Sequence, residues 1–128
     1  MYLVDTNVWL ERLLDQKELP AVKNFLNKIS SELLFIMDFY FHSISLIMIK
    51  LGQRKDLLCF IQDVFIDGEV NLVHLLPEDT KQIIQVIGKF NLDFDDTYQY
   101  VSAEKYGLTL VSFDSDFDST KPEEIINI

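Results

Sequence analysis

Three aspartates, Asp5, Asp96 and Asp114, each stand at a corner where a strand-like run and a helix-like run meet. Asp5 ends the apolar run "MYLVD" and opens "TNVWLERLLDQ". Asp96, with Asp93 and Asp95, opens "DFDDTYQYVSAEKYG". Asp114 and Asp116 follow the strand-like "LTLVSF". Carboxylates packed within ~4–6 Å of one another raise each other's pKa or share a cation. A donor set made only of oxygen suits Mg²⁺ or Mn²⁺. Such an ion activates water and stabilises the charge of a phosphoryl group in its transition state.

Each acid also has a plainer reading. Asp5 alone reads as a turn residue or helix cap. Acids in a first helical turn gain roughly 0.3–1 kcal/mol each from the helix dipole. Asp93 is placed to cap, and Asp96 then lies one turn deep. A third acid beside them adds only repulsion unless a cation compensates. Asp114 and Asp116 read as a solvated turn, yet turns favour Gly, Pro or Asn, and here Phe113 and Phe117 are interleaved with the acids. Aromatic anchors fix carboxylates in place, as a metal site needs. Asp118 reads as surface charge.

The elements that must position these acids alternate between strand and helix. "MYLVD", "SELLFIM", "VNLVHLL" and "LTLVSF" are strand-like. Helices are expected over "TNVWLERLLDQ", capped by Thr6 or Asn7, and over "PAVKNFLNKI", "DLLCFIQDVFID", "PEDTKQIIQVIGKF" and "DFDDTYQYVSAEKYG", the last stopped by Gly107. A long helix should run from about Asp38 to Leu51 with Gly52 as its stop. It is apolar nearly all round, which predicts burial. Near-continuous apolar strands separated by helices indicate an α/β fold with a parallel sheet. Sites in such sheets form beyond the carboxyl ends of the strands, where Asp5, Asp96 and Asp114 would share one edge.

The 128 residues suit a single domain over 1–128, and a hydrophobic content of 48% argues against disorder. The lone cysteine, Cys59, makes no internal disulfide, and no signal peptide is seen, so a cytoplasmic protein is expected. The longest apolar stretch, "LLFIMDFYFHSISLIMIKLG", is broken by Asp38, His42 and Lys50, which argues against a membrane span. There is no P-loop, no GxGxxG and no Cys/His zinc pattern. A net charge of −10 repels polyanions at long range, unless bound cations reverse the sign at the acid cluster. Lys50, Arg54 and Lys55 form the one basic cluster, either a phosphate contact or a solvated helix end. Tyr98 and Tyr100 are candidates for stacking on RNA bases, or core residues.

Two motifs, with the order of helices between them, resemble the PIN domain, the nuclease fold of VapC-type toxins. "YLVDTNVWLERLL" is similar to the family's opening strand, acid, Thr/Ser, Asn/Ser and helix. "LDFDDTYQYVSAEKYGLTLVSFDSDF" is similar to its closing half. The resemblance implies a three-layer α/β/α domain with a central, mostly parallel sheet flanked by helices. It implies a Mg²⁺- or Mn²⁺-dependent endoribonuclease, with RNA as substrate, an antitoxin protein as partner, and a homodimer. It makes Asp5, Asp96 and Asp114 catalytic metal ligands, with Asp116 as an auxiliary acid. Thr6 or Ser112 would bind a water or ligand in the site.

One departure stands out. The family's second acid is a Glu on the buried helix that begins here near Asp38, and residues 33 to 68 contain no Glu. The matching position reads as Ser43. Asp38 caps the helix, or Asp38 and His42, at i and i+4, form a substitute ligand pair. A lone His on an apolar helix is otherwise a hydrogen-bonded core residue. The departure keeps a second reading open: a catalytically weakened or inactive PIN-like module that binds RNA or a protein partner. A metal-dependent phosphatase or DNA nuclease using the same acids also remains open.

Overall fold

The computed structural model describes residues 1–14, 19–112 and 125–127. Asp114, Asp116 and Asp118, and the anchoring role of Phe113 and Phe117, lie outside the described residues. Five short apolar runs form strands: β1 (Tyr2–Val4), β2 (Leu34–Met37), β3 (Asn71–Val73), β4 (Thr109–Ser112) and β5 (Ile125–Asn127). The helices are α1 (Thr6–Leu14), α2 (Leu19–Lys28), α3 (Asp38–Lys50), α4 (Arg54–Phe60), α5 (Thr80–Phe90) and α6 (Phe94–Tyr106).

The sheet has the order β3-β2-β1-β4-β5, and every neighbouring pair is parallel. Parallel neighbours need a crossover between them, and helices α1 to α6 lie in the connections from β1 to β4, so the inner strands β1, β2 and β4 are covered and largely apolar. Leu3, Val4, Ile36, Met37, Leu110 and Val111 are accordingly buried. From β1 the chain steps outward to β2 and β3. It then returns to the other side of β1 to lay down β4 and β5. The winding therefore reverses between β1 and β4, and a crevice opens at their carboxyl ends.

Local chemistry explains most element ends. Gly107 closes α6 in the left-handed region, at φ +65°, and Leu108 leads directly into β4. Gly68 has a different reason. A Cβ there would lie 2.7 Å from the Asp63 carbonyl oxygen and 2.8 Å from that of Val64. The helix expected over "DLLCFIQDVFID" is α4 continued by a wider π-helical stretch, Ile61–Asp67, and glycine lets the chain leave that stretch closely.

Two expectations need correction. α1 begins at Thr6, and the backbone carbonyl of Asp5 accepts from the Val8 and Trp9 N–H groups at 3.1 and 3.4 Å. Thr6 and Asn7 thus sit inside the first turn rather than capping it. α3 is not buried all round. Tyr40, Ile44 and Met48 face the core, whereas Phe39, Leu46 and Ile49 are 43%, 46% and 50% exposed. The sheet and neighbouring helices cover only one flank of α3, so an apolar composition does not enclose its far side.

Adding a Cβ at Gly107 meets no atom within 4 Å, so Gly107→Ala isolates the backbone cost of the left-handed conformation. We expect a loss of about 1–2 kcal/mol in urea unfolding, with an unchanged m value.

Candidate active site

The carboxyl ends of β1 and β4 meet at Asp5. Its N–H donates to the Val111 carbonyl at 2.9 Å, which extends the β1–β4 pairing by one residue. Its side chain is 7% exposed and accepts from the Ser112 hydroxyl at 2.6 Å. That length is typical of a hydroxyl donating to an ionised carboxylate. Ser112 itself is buried at the last position of β4. The sheet register thus delivers both partners to one point.

Asp96 arrives from the other direction. Asp93 is the N-cap of α6, and its Oδ1 accepts from the Asp96 N–H at 2.8 Å. The Asp93 carbonyl accepts from the Thr97 hydroxyl at 2.6 Å and from the Thr97 N–H at 3.0 Å. These bonds fix the first turn of α6 and leave Asp96, 9% exposed, pointing inward. The capping role expected for Asp93 is seen, and Asp96 lies in the first turn that it caps.

The side chain of α3 that lies beside these acids is Tyr40. Its hydroxyl donates to the Asp95 carbonyl at 2.9 Å, tying α3 to the first turn of α6. Burial pushes the phenol's pKa well above its ordinary value, and the charges of Asp5, Asp96, Asp95 and Asp93 push it further. Tyr40 therefore senses Asp5 and Asp96 together, and it stays neutral and donates. The Ser43 hydroxyl donates to the Phe39 carbonyl of its own helix at 3.2 Å. Tyr40 was not singled out by the sequence as a residue of the site. The usable signal was the buried i, i+4, i+8 stripe of Tyr40, Ile44 and Met48, of which Tyr40 is the polar-tipped member.

Asp38 and His42 do share a face, as their spacing requires. Both are exposed and line a cavity of about 310 Å³ with Phe39, Phe94, Asp95 and Tyr98. His42 is therefore not a core histidine. Tyr98 lines the cavity, and Tyr100 is core, 2% exposed. The basic cluster lies elsewhere. Lys50 ends α3, about 18 Å of helix away from Asp38 at a rise of about 1.5 Å per residue, and Arg54 and Lys55 open α4.

The donor chemistry fits a hard divalent cation. Asp5 and Asp96 offer buried carboxylate oxygens, and the buried Thr6 Oγ1 and Asn7 Oδ1 have no hydrogen-bond partner among the described residues. Among those residues no group of three or more Asp, Glu, His or Cys side chains is placed to hold an ion. Asp5 and Asp96 are thus the described part of the expected set.

Residues 2–121 match the family model described as PIN domain. The chain belongs to the PIN domain family. Its PIN fold is similar to that of a solved chain described as "Toxin-antitoxin complex from Klebsiella pneumoniae", with a TM-score of 0.76. That likeness covers 99% of this chain and 97% of the other, at 15% sequence identity. No curated protein matches the chain. Among the described residues no helix is long and apolar enough to cross a membrane. The third helix of this PIN domain presents the buried Tyr40 phenol beside Asp5 and Asp96.

Tyr40→Phe removes one hydrogen bond and should cost about 1 kcal/mol at pH 7. The phenol's folded value is raised, so its contribution is full below its ordinary pKa of 10.0 and is lost as pH rises beyond it. Urea unfolding between pH 7 and 11 should therefore show a steeper alkaline decline in wild type than in Tyr40→Phe. Ser112→Ala takes a donor from a buried carboxylate and should cost about 1.5–3 kcal/mol, read by thermal or urea unfolding.

Proposed function

We propose that this PIN domain protein is a divalent-metal-dependent endoribonuclease and the toxin of a toxin–antitoxin pair. The observation that carries the reading is the pair of buried carboxylates, Asp5 and Asp96, at the reversal point of a parallel sheet. Burying two like charges costs several kcal/mol unless a counter-charge joins them. A divalent ion, Mg²⁺ or Mn²⁺, supplies that charge and lowers the pKa of a bound water. Asp5, Asp96 and Asp114 would hold it, with Asp116 as auxiliary acid.

The chain's own residues do the rest. Ser112 orients the Asp5 carboxylate through its 2.6 Å bond. Asp93 and Tyr40 hold the first turn of α6, and so the direction of Asp96. Thr6 and Asn7 bring unused oxygens for a water or a ligand. The toxin–antitoxin neighbour in fold supports an antitoxin partner. The exposed apolar residues Leu46, Ile49 and Leu51 support a protein contact, an antitoxin or a second copy in a homodimer.

The absence of an acid beside Asp5 and Asp96 on α3 favours one second reading, a weakened or silent PIN module that acts by binding. The two are separated by incubating a mixed pool of labelled RNA with purified protein in Mg²⁺, Mn²⁺ or EDTA. As a nuclease, the wild type cuts only with metal. Asp5→Asn, Asp96→Asn and Asp114→Asn then each lose about 10²–10³-fold. Silence of the wild type in every metal, across varied RNAs, leaves the binding module. Independently of activity, Mn²⁺ should raise the unfolding temperature of the wild type and leave that of Asp5→Asn unchanged.

A further inference from the structure

The cavity between the first turns of α3 and α6 is adjacent to the acids without belonging to them. Asp95, on its wall, is one residue from Asp96. At about 310 Å³ it lies at the small end of ligand pockets, which begin at about 300 Å³. That suits a single planar ring system better than a whole nucleotide. Three aromatic rings form its apolar part: Phe39 and Phe94 stand 6.3 and 6.0 Å from Tyr98, ring centre to ring centre. Phe94 is 57% exposed and Phe39 43%, so part of each ring is open to a ligand. Tyr98 is held in place, because its hydroxyl accepts from the Leu75 N–H at 3.2 Å.

The polar part is acidic. Asp38 and Asp95 line the cavity with His42, and one oxygen of Asp38 is fixed by the Phe39 N–H at 2.7 Å. Carboxylates repel phosphate, so the ligand group that enters must present N–H donors on a flat ring. A carboxylate has two oxygens side by side. Guanine alone among the RNA bases sets two donors, N1–H and the N2 amine, side by side to meet them. Adenine and cytosine place a ring acceptor beside their amine, and uracil flanks its one N–H with carbonyls. An acceptor facing a carboxylate leaves both groups unpaired and costs affinity.

We propose that this pocket seats one unpaired guanine of single-stranded RNA next to the acids, packed among the tilted rings of Phe39, Phe94 and Tyr98, with its N1–H and N2 edge on Asp38 or Asp95. Aromatic stacking of splayed bases is the usual way single-stranded RNA is read. The inference rests on the ribonuclease reading and adds a base preference to it.

The test separates the two. GMP, IMP, AMP, CMP and UMP carry the same phosphate charge, so differences among them report the base. Each is titrated into metal-free protein and followed by ¹H–¹⁵N NMR. We expect GMP to shift His42, Phe94, Asp95 and Tyr98 and to bind about tenfold or more tightly than the other four. IMP, lacking only the N2 amine, should fall with the weak binders. Phe94→Ala, and Asp38→Asn combined with Asp95→Asn, all at exposed side chains, should each erase the preference while leaving the rest of the spectrum folded. Equal binding of all five, or a preference that survives both variants, overturns the inference. So does a pocket shifted by arginine amide and not by GMP, which makes it a protein contact. RNA cut with metal at sites indifferent to guanine also overturns it while the ribonuclease reading stands. Selective GMP binding without cleavage in any metal keeps the pocket and overturns the ribonuclease reading.

Discussion

Keeping the carboxylates of Asp5 and Asp96 out of water, within reach of the same phenol, sets the terms for the surrounding structure. A buried carboxylate is costly unless donors meet it. Asp5 receives the Ser112 hydroxyl at 2.6 Å, and Asp96 sits in the first turn of a helix, where the dipole favours negative charge. Tyr40 remains protonated because burial disfavours its charged form, and the neighbouring carboxylates repel it further. The sheet order follows from the same need. Only a chain that winds outward from β1 and then returns to its other side puts Asp5 and Ser112 next to each other.

The first turn of α6 is the joint on which the site depends. Asp93 caps it, Thr97 bonds back to it, and Tyr40 holds it from α3. Farther along, Tyr98 accepts from Leu75, and Lys105 pairs with Asp79 at 2.7 Å. The Lys105 ammonium, then the Leu76 N–H, hold the Asp79 carboxyl below its ordinary range, but the pair is exposed and adds little stability. Tyr106 donates to the His74 carbonyl at 2.8 Å. α6 is therefore tied at both ends, so Asp96 is presented by a rigid element rather than a loop.

α3 divides its two flanks between different tasks. Tyr40, Ile44 and Met48 face the core. Phe39 and His42 open onto the cavity beside Asp95, and Leu46 and Ile49 continue as an apolar exposed stripe. A helix that buried all its apolar residues would have neither cavity nor stripe. On the core-facing flank, the Tyr40 phenol ties α3 to the first turn of α6.

The sequence by itself determined the α/β class, the parallel sheet, the ends of α3 and α6 at Gly52 and Gly107, and the corners where Asp5 and Asp96 stand. These follow from local causes: apolar runs, spacing, caps and left-handed glycines act over a few residues. The tertiary structure alone decided three things. It paired Ser112 with Asp5 across 107 positions of chain. It set Tyr40 beside the acids, and it left half of an apolar helix exposed. A local stripe such as Tyr40, Ile44 and Met48 marks a buried flank, but what that flank meets depends on which surface the sheet register and helix packing bring opposite it. A turn of about 60° around α3 separates Tyr40 from Ser43, and the rotation of a helix about its axis is set by what it packs against.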